Sequence, residues 1–287
     1  MSDLSQKSLA ISSISYVIPT LNSAATLDMT LYALRSQKDV EVNIIVVDSG
    51  STDETLEICK RWDVKTLYAE PGNMYRAINV GLRECNTEWL GYINSDDWLY
   101  SDSVARLVAQ GNATNADVVY GHCDYTDGHG RFLYSMKAPH PNRLGSIFRT
   151  SALGFAQQAA IFRHRLYQNL QGFNDEQYRL SADKEFYFRA LNSGASFAIL
   201  FELPVACFRL HENQLSNKQA QSMEVERQTM IAELAKNTSF YDWLAMMQWK
   251  LTNAPHYLLR FLRQSLLAGK PIVTKSIQAG TYSYLRG

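Results

Sequence analysis

The chain reads as an α/β protein on a mostly parallel, doubly wound sheet, and three observations predict it. From Ile14 to Ile93, short apolar strands alternate with amphipathic helices through brief connections, the pattern of repeated strand–helix–strand units. Each of these strands ends in polar residues, as in open α/β sheets that bind ligands beyond their strand ends. Of 287 residues, 46% are apolar and 20% charged, enough to bury a large core.

Ile14 to Ile18 is the first strand, stopped by Pro19-Thr20, and Ala24 to Ser36 carries helical spacing through Leu27, Leu31 and Leu34. Val42 to Val47 is a buried strand that runs into Asp48-Ser49-Gly50-Ser51-Thr52-Asp53, and Glu54 to Arg61 is helical, with Asp53 as its cap. Val64 to Ala69 is a third strand turned by Pro71-Gly72; Tyr75 to Arg83 is a helix and Glu88 to Ile93 a fourth strand. A further helical run begins after Ser101-Asp102-Ser103. Asp117 to Tyr120 is a strand, and Cys123 to Met136 is a hairpin around Asp127-Gly128-His129-Gly130. Pro139 to Thr150 reads as a loop region, and Ala156 to Arg163 as a strand. Leu180 to Asn192 is a helix ended by Ser193-Gly194. Ser196 to Leu200 and Val205 to Leu210 are strands. After a break near residue 215 come two helices, Ser222 to Leu234 and the aromatic, amphipathic Tyr241 to Leu267.

Lysine plus arginine and aspartate plus glutamate both number 28, so no net field favours nucleic acid as a partner. The four cysteines show neither metal-finger spacing nor a disulfide framework, which fits a reducing compartment. Met1 to Ser13 lacks the apolar core of a secretory signal, and no window is apolar enough to span a membrane. The expectation is a cytoplasmic protein, or one peripheral to the inner face of the plasma membrane.

Trp89-Leu90-Gly91-Tyr92-Ile93-Asn94-Ser95-Asp96-Asp97-Trp98 is the most informative segment: a buried strand that runs into two adjacent carboxylates. Carboxylates at the end of a central strand are costly unless a cation or sugar hydroxyls compensate them. The segment suits a divalent metal carrying a phosphorylated ligand. It also suits a turn whose Asp caps the next helix. Asp48 ends a buried strand, where it can accept hydrogen bonds from a base or ribose. A single glycine near it makes neither a dinucleotide fingerprint nor a P-loop.

Together these pieces resemble glycosyltransferase family 2, whose fold is the nucleotide-sugar-binding GT-A fold. The resemblance runs from about Ile14 to Ser216, in the family's order. Val17-Ile18-Pro19-Thr20-Leu21-Asn22 is similar to the opening strand and loop. Val46 to Asp53 is similar to the second strand end, whose aspartate holds the base. Glu70-Pro71-Gly72 with Ala77 to Leu82 is similar to the third loop and helix, and Asn94-Ser95-Asp96-Asp97 to the Asp-x-Asp metal motif. Asn94 replaces the motif's first Asp, so Asp96 matches the metal ligand, with Asp97 beside it. Arg76 precedes Ala77, whereas the family's arginine stands immediately before the Asn, where this chain has Ile78. Ser181-Ala182-Asp183-Lys184-Glu185-Phe186, preceded by Gly172-Phe173-Asn174-Asp175-Glu176, resembles the family's acidic motif, in which Asp183 matches the catalytic base. The bland reading is that Asp183 caps its helix and Glu185 faces water. Phe208-Arg209-Leu210-His211, continued to Ser216, resembles the Arg-x-His and serine loop. Its imidazole would ligate the metal or, protonated, bind the diphosphate, and Arg209 would share its strand face. Gln157 and Gln158, adjacent on a strand, point to opposite faces, so one of them, Gln158, is assigned to the cleft.

The resemblance implies a metal-dependent, inverting glycosyltransferase. Pro19, Thr20, Asn22, Asp48, Ser51, Arg76, Asn79, Asn94, Asp96, Gln158 and Arg209 would bind the nucleotide-diphosphate sugar, and Asp96, Asp97 and His211 would hold Mg2+ or Mn2+. Asp48, Asp96 and Asp183 would border a common cavity. The acceptor would be a saccharide or lipid-linked saccharide of a bacterial surface-polysaccharide pathway. Residues 1–215 would form the catalytic domain, with a nucleotide-sugar half at 14–120 and an acceptor half at 121–215, followed by a helical extension at 216–287. That extension mixes aromatics with cations (Trp243, Trp249, Tyr257, Arg260, Phe261, Arg263), which suits packing, a homodimer contact or a membrane surface. A nucleotidyltransferase would want a Gly-rich loop with a nearby Lys, absent from Pro19-Thr20-Leu21-Asn22; a catalytically dead sugar-nucleotide-binding scaffold is the non-enzyme alternative.

Overall fold

A computed structural model of the chain describes residues 12–150, 152–211, 214, 219–234, 238–266, 273–275 and 282–284. The elements in chain order are β1 (Ser13–Thr20), α1 (Leu27–Arg35), β2 (Glu41–Asp48), α2 (Thr55–Arg61), β3 (Lys65–Tyr68), α3 (Met74–Arg83), β4 (Trp89–Tyr92), β5 (Trp98–Leu99), α4 (Ser103–Thr114), β6 (Val118–Gly121), β7 (Cys123–Asp127), β8 (Phe132–Met136), α5 (Pro141–Arg149), β9 (Ala160–Arg163), α6 (His164–Asn169), α7 (Ala182–Asn192), β10 (Phe197–Leu200), β11 (Ala206–Leu210), α8 (Ala220–Leu234), α9 (Phe240–Leu266), β12 (Val273–Lys275) and β13 (Tyr282–Tyr284).

The main sheet has seven strands in the order β10-β6-β9-β4-β1-β2-β3. All neighbours are parallel except β9, which runs against both β4 and β6. The apolar runs explain this: β1 and β4 are buried along nearly every residue, as strands covered on both faces must be. Helix α3 lies directly on β1 and β2, because a Cβ on Gly81 would come within 2.6 Å of Val17 Cγ1. A second sheet, β5-β11-β7-β8, contains the hairpin between β7 and β8.

The parallel strands end on one edge. β1 and β2 pair in register from Ser13↔Glu41 to Thr20↔Asp48, so Thr20 and Asp48 finish side by side. β4 pairs with the other side of β1, so the Asn94–Asp97 turn emerges at the same edge.

Two sequence readings are corrected here. Pro139 to Thr150 is not a loop: Pro141 opens α5 at its first position, and Leu144, Ile147 and Phe148 bury one face of it. Gln157 and Gln158 lie not in a strand but in a single 3-10 turn, Gln157–Ala159, ahead of β9. The opposite-faces argument therefore does not apply to them.

The boundary placed near residue 215 falls outside the described residues. Beyond it, α9 packs across α5 and β8. Arg149 clasps Asp242 through Nε at 3.1 Å and a terminal nitrogen at 2.7 Å, and Trp249 Nε1 donates to the Lys137 carbonyl at 2.9 Å. Asn253, 1% exposed, accepts from the Lys137 amide at 2.8 Å. The side chains of Tyr257, Arg260, Phe261 and Arg263 lie outside the described set. Among the described residues no helix is long and apolar enough to cross a membrane, and all four cysteines are buried and unbridged.

Candidate active site

The first two loops are latched to each other around Asp48. Its carboxylate is buried and accepts four hydrogen bonds: from Thr20 Oγ1 at 3.0 Å, Ser51 Oγ at 2.5 Å, and the amides of Gly50 and Ser51 at 3.0 and 2.9 Å. A carboxylate so supplied shapes the loop, with Gly50 taking the positive φ of +85° that the turn requires. Asn22, itself at φ 53°, accepts from the Thr52 amide at 2.9 Å, while its own amide donates to Ser51 Oγ at 2.8 Å. Asp53 is not the N-cap of α2, a place held by Glu54; one residue earlier, it accepts the Thr55 amide at 3.0 Å and, as a second latch, the Ala24 amide at 3.0 Å. Pro19 precedes Thr20 at the end of β1, opposite Val47.

The β4 turn joins this edge through Ser95 Oγ, which donates to Ser23 Oγ at 2.8 Å. Asp96 and His211, 115 residues apart, meet there: Asp96 Oδ2 lies 2.7 Å from His211 Nε2, with both side chains about a quarter exposed at 22% and 27%. Asp97 turns the other way. It is fully buried, and its Oδ1 accepts from the Arg209 amide at 2.9 Å. Burial, and then the charge of Asp96, push its carboxyl well above the usual range, against the pull of Arg209. Asp97 thus does not join Asp96 and His211 as a third ligand, and among the described residues no group of three or more His, Cys, Asp or Glu side chains gathers as a metal cluster. The fit to a cation is partial but real. One carboxylate and one imidazole converge at the edge, and beside them Asn94 Oδ1 is buried without a hydrogen-bond partner. Hard divalent ions at nucleotide sites usually take one or two protein ligands and complete their shell with phosphate and water. Arg209 lies with its guanidinium 5.4 Å from the Trp98 ring centroid, leaning with His211 toward this turn.

Asp183 sits in the first turn of α7, at the end nearest this edge. Its Oδ1 accepts the Tyr75 hydroxyl at 2.8 Å, and Tyr75 packs on Tyr92 at the end of β4, ring centroids 6.3 Å apart. Contacts therefore run without a break from Asp183 through Tyr75 and β4 to Ser95, Ser23 and the Asp48 loop. Burial raises the Asp183 carboxyl above its ordinary value; the Tyr75 hydroxyl and the Lys184 charge oppose that. The bland reading of this segment fails for Glu185: it is 3% exposed and paired with Arg189 at 2.5 Å rather than facing water.

Several assigned residues are placed differently. Asn79 is 1% exposed, and its amide is spent on the Gly172–Asp175 loop, donating to Phe173 O at 2.8 Å and Asp175 Oδ1 at 2.9 Å and accepting the Phe173 amide at 3.1 Å. It braces that loop and offers nothing to a ligand. Arg76 pairs loosely with Asp175 at 3.5 Å, half exposed. Gln158 is 3% exposed with its Nε2 unpartnered, whereas Gln157 holds the Tyr92 carbonyl at 2.9 Å. A cavity of about 1090 Å3 is lined by Lys137, Arg143, Phe201 and Trp249 among others, and none of Asp48, Asp96 and Asp183 lines it. The residue that sequence reasoning missed is Tyr75. Its one signal was its place beside Arg76 at the start of a helix leaving the third strand.

A PGL/p-HBAD biosynthesis glycosyltransferase of Mycobacterium bovis is 29% identical over 206 residues, covering 68% of this chain and 75% of its own. The succinoglycan biosynthesis protein ExoO of Rhizobium meliloti is 24% identical over 65% of this chain and 58% of its own. Among solved structures, S. aureus TarS in complex with UDP superposes with a TM-score of 0.61 at 17% identity, over 88% of this chain and 75% of that one. Glucosyl-3-phosphoglycerate synthase from Mycobacterium tuberculosis, solved with Mn2+, UDP and phosphoglyceric acid, gives 0.54 at 17% over 77% and 76%. These likenesses establish the GT-A fold. The glycosyl transferase family 2 model matches residues 15–170, and the chain belongs to that family.

Proposed function

We propose that the chain transfers a sugar from a nucleotide-diphosphate donor to an acceptor hydroxyl with inversion, and that Asp183 is the base. The observation that carries the reading is the Tyr75–Asp183 pair: a carboxylate with a raised pKa, aimed by a neutral donor, at the sheet edge where the nucleotide loops end. A base whose pKa lies above the ordinary carboxylate range is better matched to neutral pH. The acceptor oxygen bonds to the anomeric carbon as the bond from that carbon to the diphosphate oxygen breaks. The hydroxyl proton passes to Asp183, and the nucleoside diphosphate leaves. One displacement inverts the centre and needs no covalent enzyme intermediate.

Asp96 and His211 would hold Mg2+ or Mn2+, which neutralises charge on the leaving diphosphate when bound. The Asp48 loop, with Thr20, Asn22 and Ser51, would cradle the nucleoside, and Arg209 would face the diphosphate. The relatives' names support an acceptor in glycolipid or polysaccharide assembly, a saccharide or a lipid-linked saccharide. The exposed Phe240, Trp243, Met247 and Leu251 on one side of α9 favour a peripheral contact there, with a membrane or a second copy. Liposome sedimentation and light scattering separate those two. We assign residues 216–287 to an extension of the catalytic unit whose described residues hold α8, α9 and, against the all-helical expectation, the paired strands β12 and β13.

Thermal shift against UDP-GlcNAc, UDP-glucose and GDP-mannose with Mn2+ identifies the donor, since a ligand of the folded state stabilises it. Asp183→Asn is then decisive: it keeps the donor shift and loses transfer by about 10²-fold or more. The same variant should melt higher than the parent at neutral pH. A carboxyl whose folded pKa is raised costs stability above its unfolded pKa, and the amide removes that cost. An Asn variant that transfers at the parent rate refutes the assignment.

A further inference from the structure

Helix α7 carries Asp183 but does not cap itself: Ser181 stands at its N-cap, and its side chain bonds no amide of the helix. The stretch just ahead of the helix, residues 179–181, is held from α8. Glu226 accepts the Arg179 amide at 2.8 Å and the Leu180 amide at 3.2 and 3.1 Å through its two oxygens, and the Ser181 hydroxyl donates to it at 2.7 Å. One turn further along α8, Met230 is 2% exposed in the cluster that also contains Tyr75 and Phe186. A carboxylate and a buried side chain, four residues apart on one face of α8, thus seat that helix on the start of α7, two residues ahead of Asp183.

We propose that Glu226 is a positioning residue for sugar transfer, and that α8 is part of the catalytic unit because it fixes the turn from which Asp183 projects. The inference rests on the reading of Asp183 as the base. Without Glu226, the amides of Arg179 and Leu180 and the Ser181 hydroxyl lose their acceptor at once. Residues 179–181 then loosen, and with them the start of α7 from which Asp183 reaches the Tyr75 hydroxyl. Donor binding is built on other elements, β1, β2 and the β4 turn, so the loss should fall on turnover.

The test compares Glu226→Ala, Glu226→Gln and Asp183→Asn with the parent full-length chain. The assay follows nucleoside-diphosphate release with Mn2+ from whichever of UDP-GlcNAc, UDP-glucose and GDP-mannose gives the largest thermal shift. Amide hydrogen exchange is read over residues 179–185. Glu226→Ala should lower kcat about tenfold or more, leave the donor KM within about twofold, and speed exchange of that stretch about tenfold. Glu226→Gln keeps one acceptor oxygen and should recover most of kcat. If the alanine variant does not fold, the glutamine variant decides: a few-fold lower kcat at parent KM, with faster exchange, supports the role. Parent-like kcat and exchange overturn it, as does a rate loss matched by a rise in donor KM. Full transfer by Asp183→Asn would remove the base reading and the Glu226 role with it, whereas an inactive Asp183→Asn beside unaffected Glu226 variants removes the Glu226 role alone.

Discussion

Replacing Tyr75 with phenylalanine deletes one oxygen from the candidate site and little else. The ring is 2% exposed and packed against Tyr92 and Phe173, with centroids at 6.3 and 5.7 Å, and phenylalanine keeps both contacts. What goes is the hydroxyl that donates to Asp183 Oδ1 at 2.8 Å. A hydrogen bond to a charged group is worth about 1.5–3 kcal/mol. Asp183 is only half-buried, so water replaces part of the lost bond and the lower end of that range, about 1.5 kcal/mol, is the working figure. The sign is fixed by which form the hydroxyl stabilises. It favours the carboxylate, so its removal raises a pKa that burial has already raised. The base works deprotonated, so activity lost as pH falls should be lost at higher pH in the variant. The assay is a kcat–pH profile at saturating donor and Mn2+. The acidic limb should move to higher pH, while the plateau at high pH stays within a few-fold of the parent. An unmoved limb, or one displaced toward acid, refutes the coupling of Tyr75 to the base.

Other perturbations probe different links. Asp96→Ala and His211→Ala should each abolish the extra thermal shift that Mn2+ adds to a bound nucleoside diphosphate, whereas Asp97→Asn should retain it; a parent-like Mn2+ response in either alanine variant speaks against the pair as ligands. Gly111→Ala should lower Tm by several degrees, because its Cβ would sit 2.3 Å from two Trp89 ring carbons and 2.9 Å from Val119 Cγ2. Overpacking of that kind costs about 1–3 kcal/mol or more and outweighs the roughly 1 kcal/mol that alanine gains in a helix. Asp242→Ala should release α9 to limited proteolysis and cost about 2 kcal/mol, below the usual figure for a broken buried pair because Arg149 is 39% exposed; an unchanged cleavage pattern would refute its role as the tether.

Most of the sheet was legible because a strand covered on both faces has little sequence freedom: β1, β2 and β4 are apolar almost throughout and stop where the chain must meet solvent. The edge residues were legible for the same reason, since Thr20 and Asp48 end paired strands and so arrive together. Helix α5 was misread although its signals were present, because Pro141 and Gly145 weigh against a helix until Pro141 is placed at the first position, where it is tolerated. Asp96 and Asp97 look alike in sequence. What separates them is local backbone: the Asp97 amide closes a turn onto the Asn94 carbonyl at 3.2 Å, and β5 starts one residue later with the fully buried Trp98. Tyr75 was out of reach because its partner lies 108 residues away, and nothing local marks a buried tyrosine as one that donates to a carboxylate.

Four aspartates of one edge thereby receive four different tasks from their surroundings alone. Asp48 accepts two hydroxyls and two amides, so its carboxylate is spent on holding its own loop. Asp96 meets an imidazole at the rim, where a cation or phosphate can reach it. Asp97 has one oxygen on the Arg209 amide and the other buried without a partner, an environment that favours the neutral acid and suits a wedge behind the turn better than a ligand. Asp183 alone combines a raised pKa, a neutral donor that aims it and partial access to solvent, which together make a carboxylate that can both receive a proton and give it up. Environments that push carboxyl pKa values apart are what divide acid, base and ligand roles among chemically identical groups. On that ground a base at Asp183, buried enough to raise its carboxyl, and a ligand at Asp96, beside His211 at the rim, are the assignment we propose for this edge.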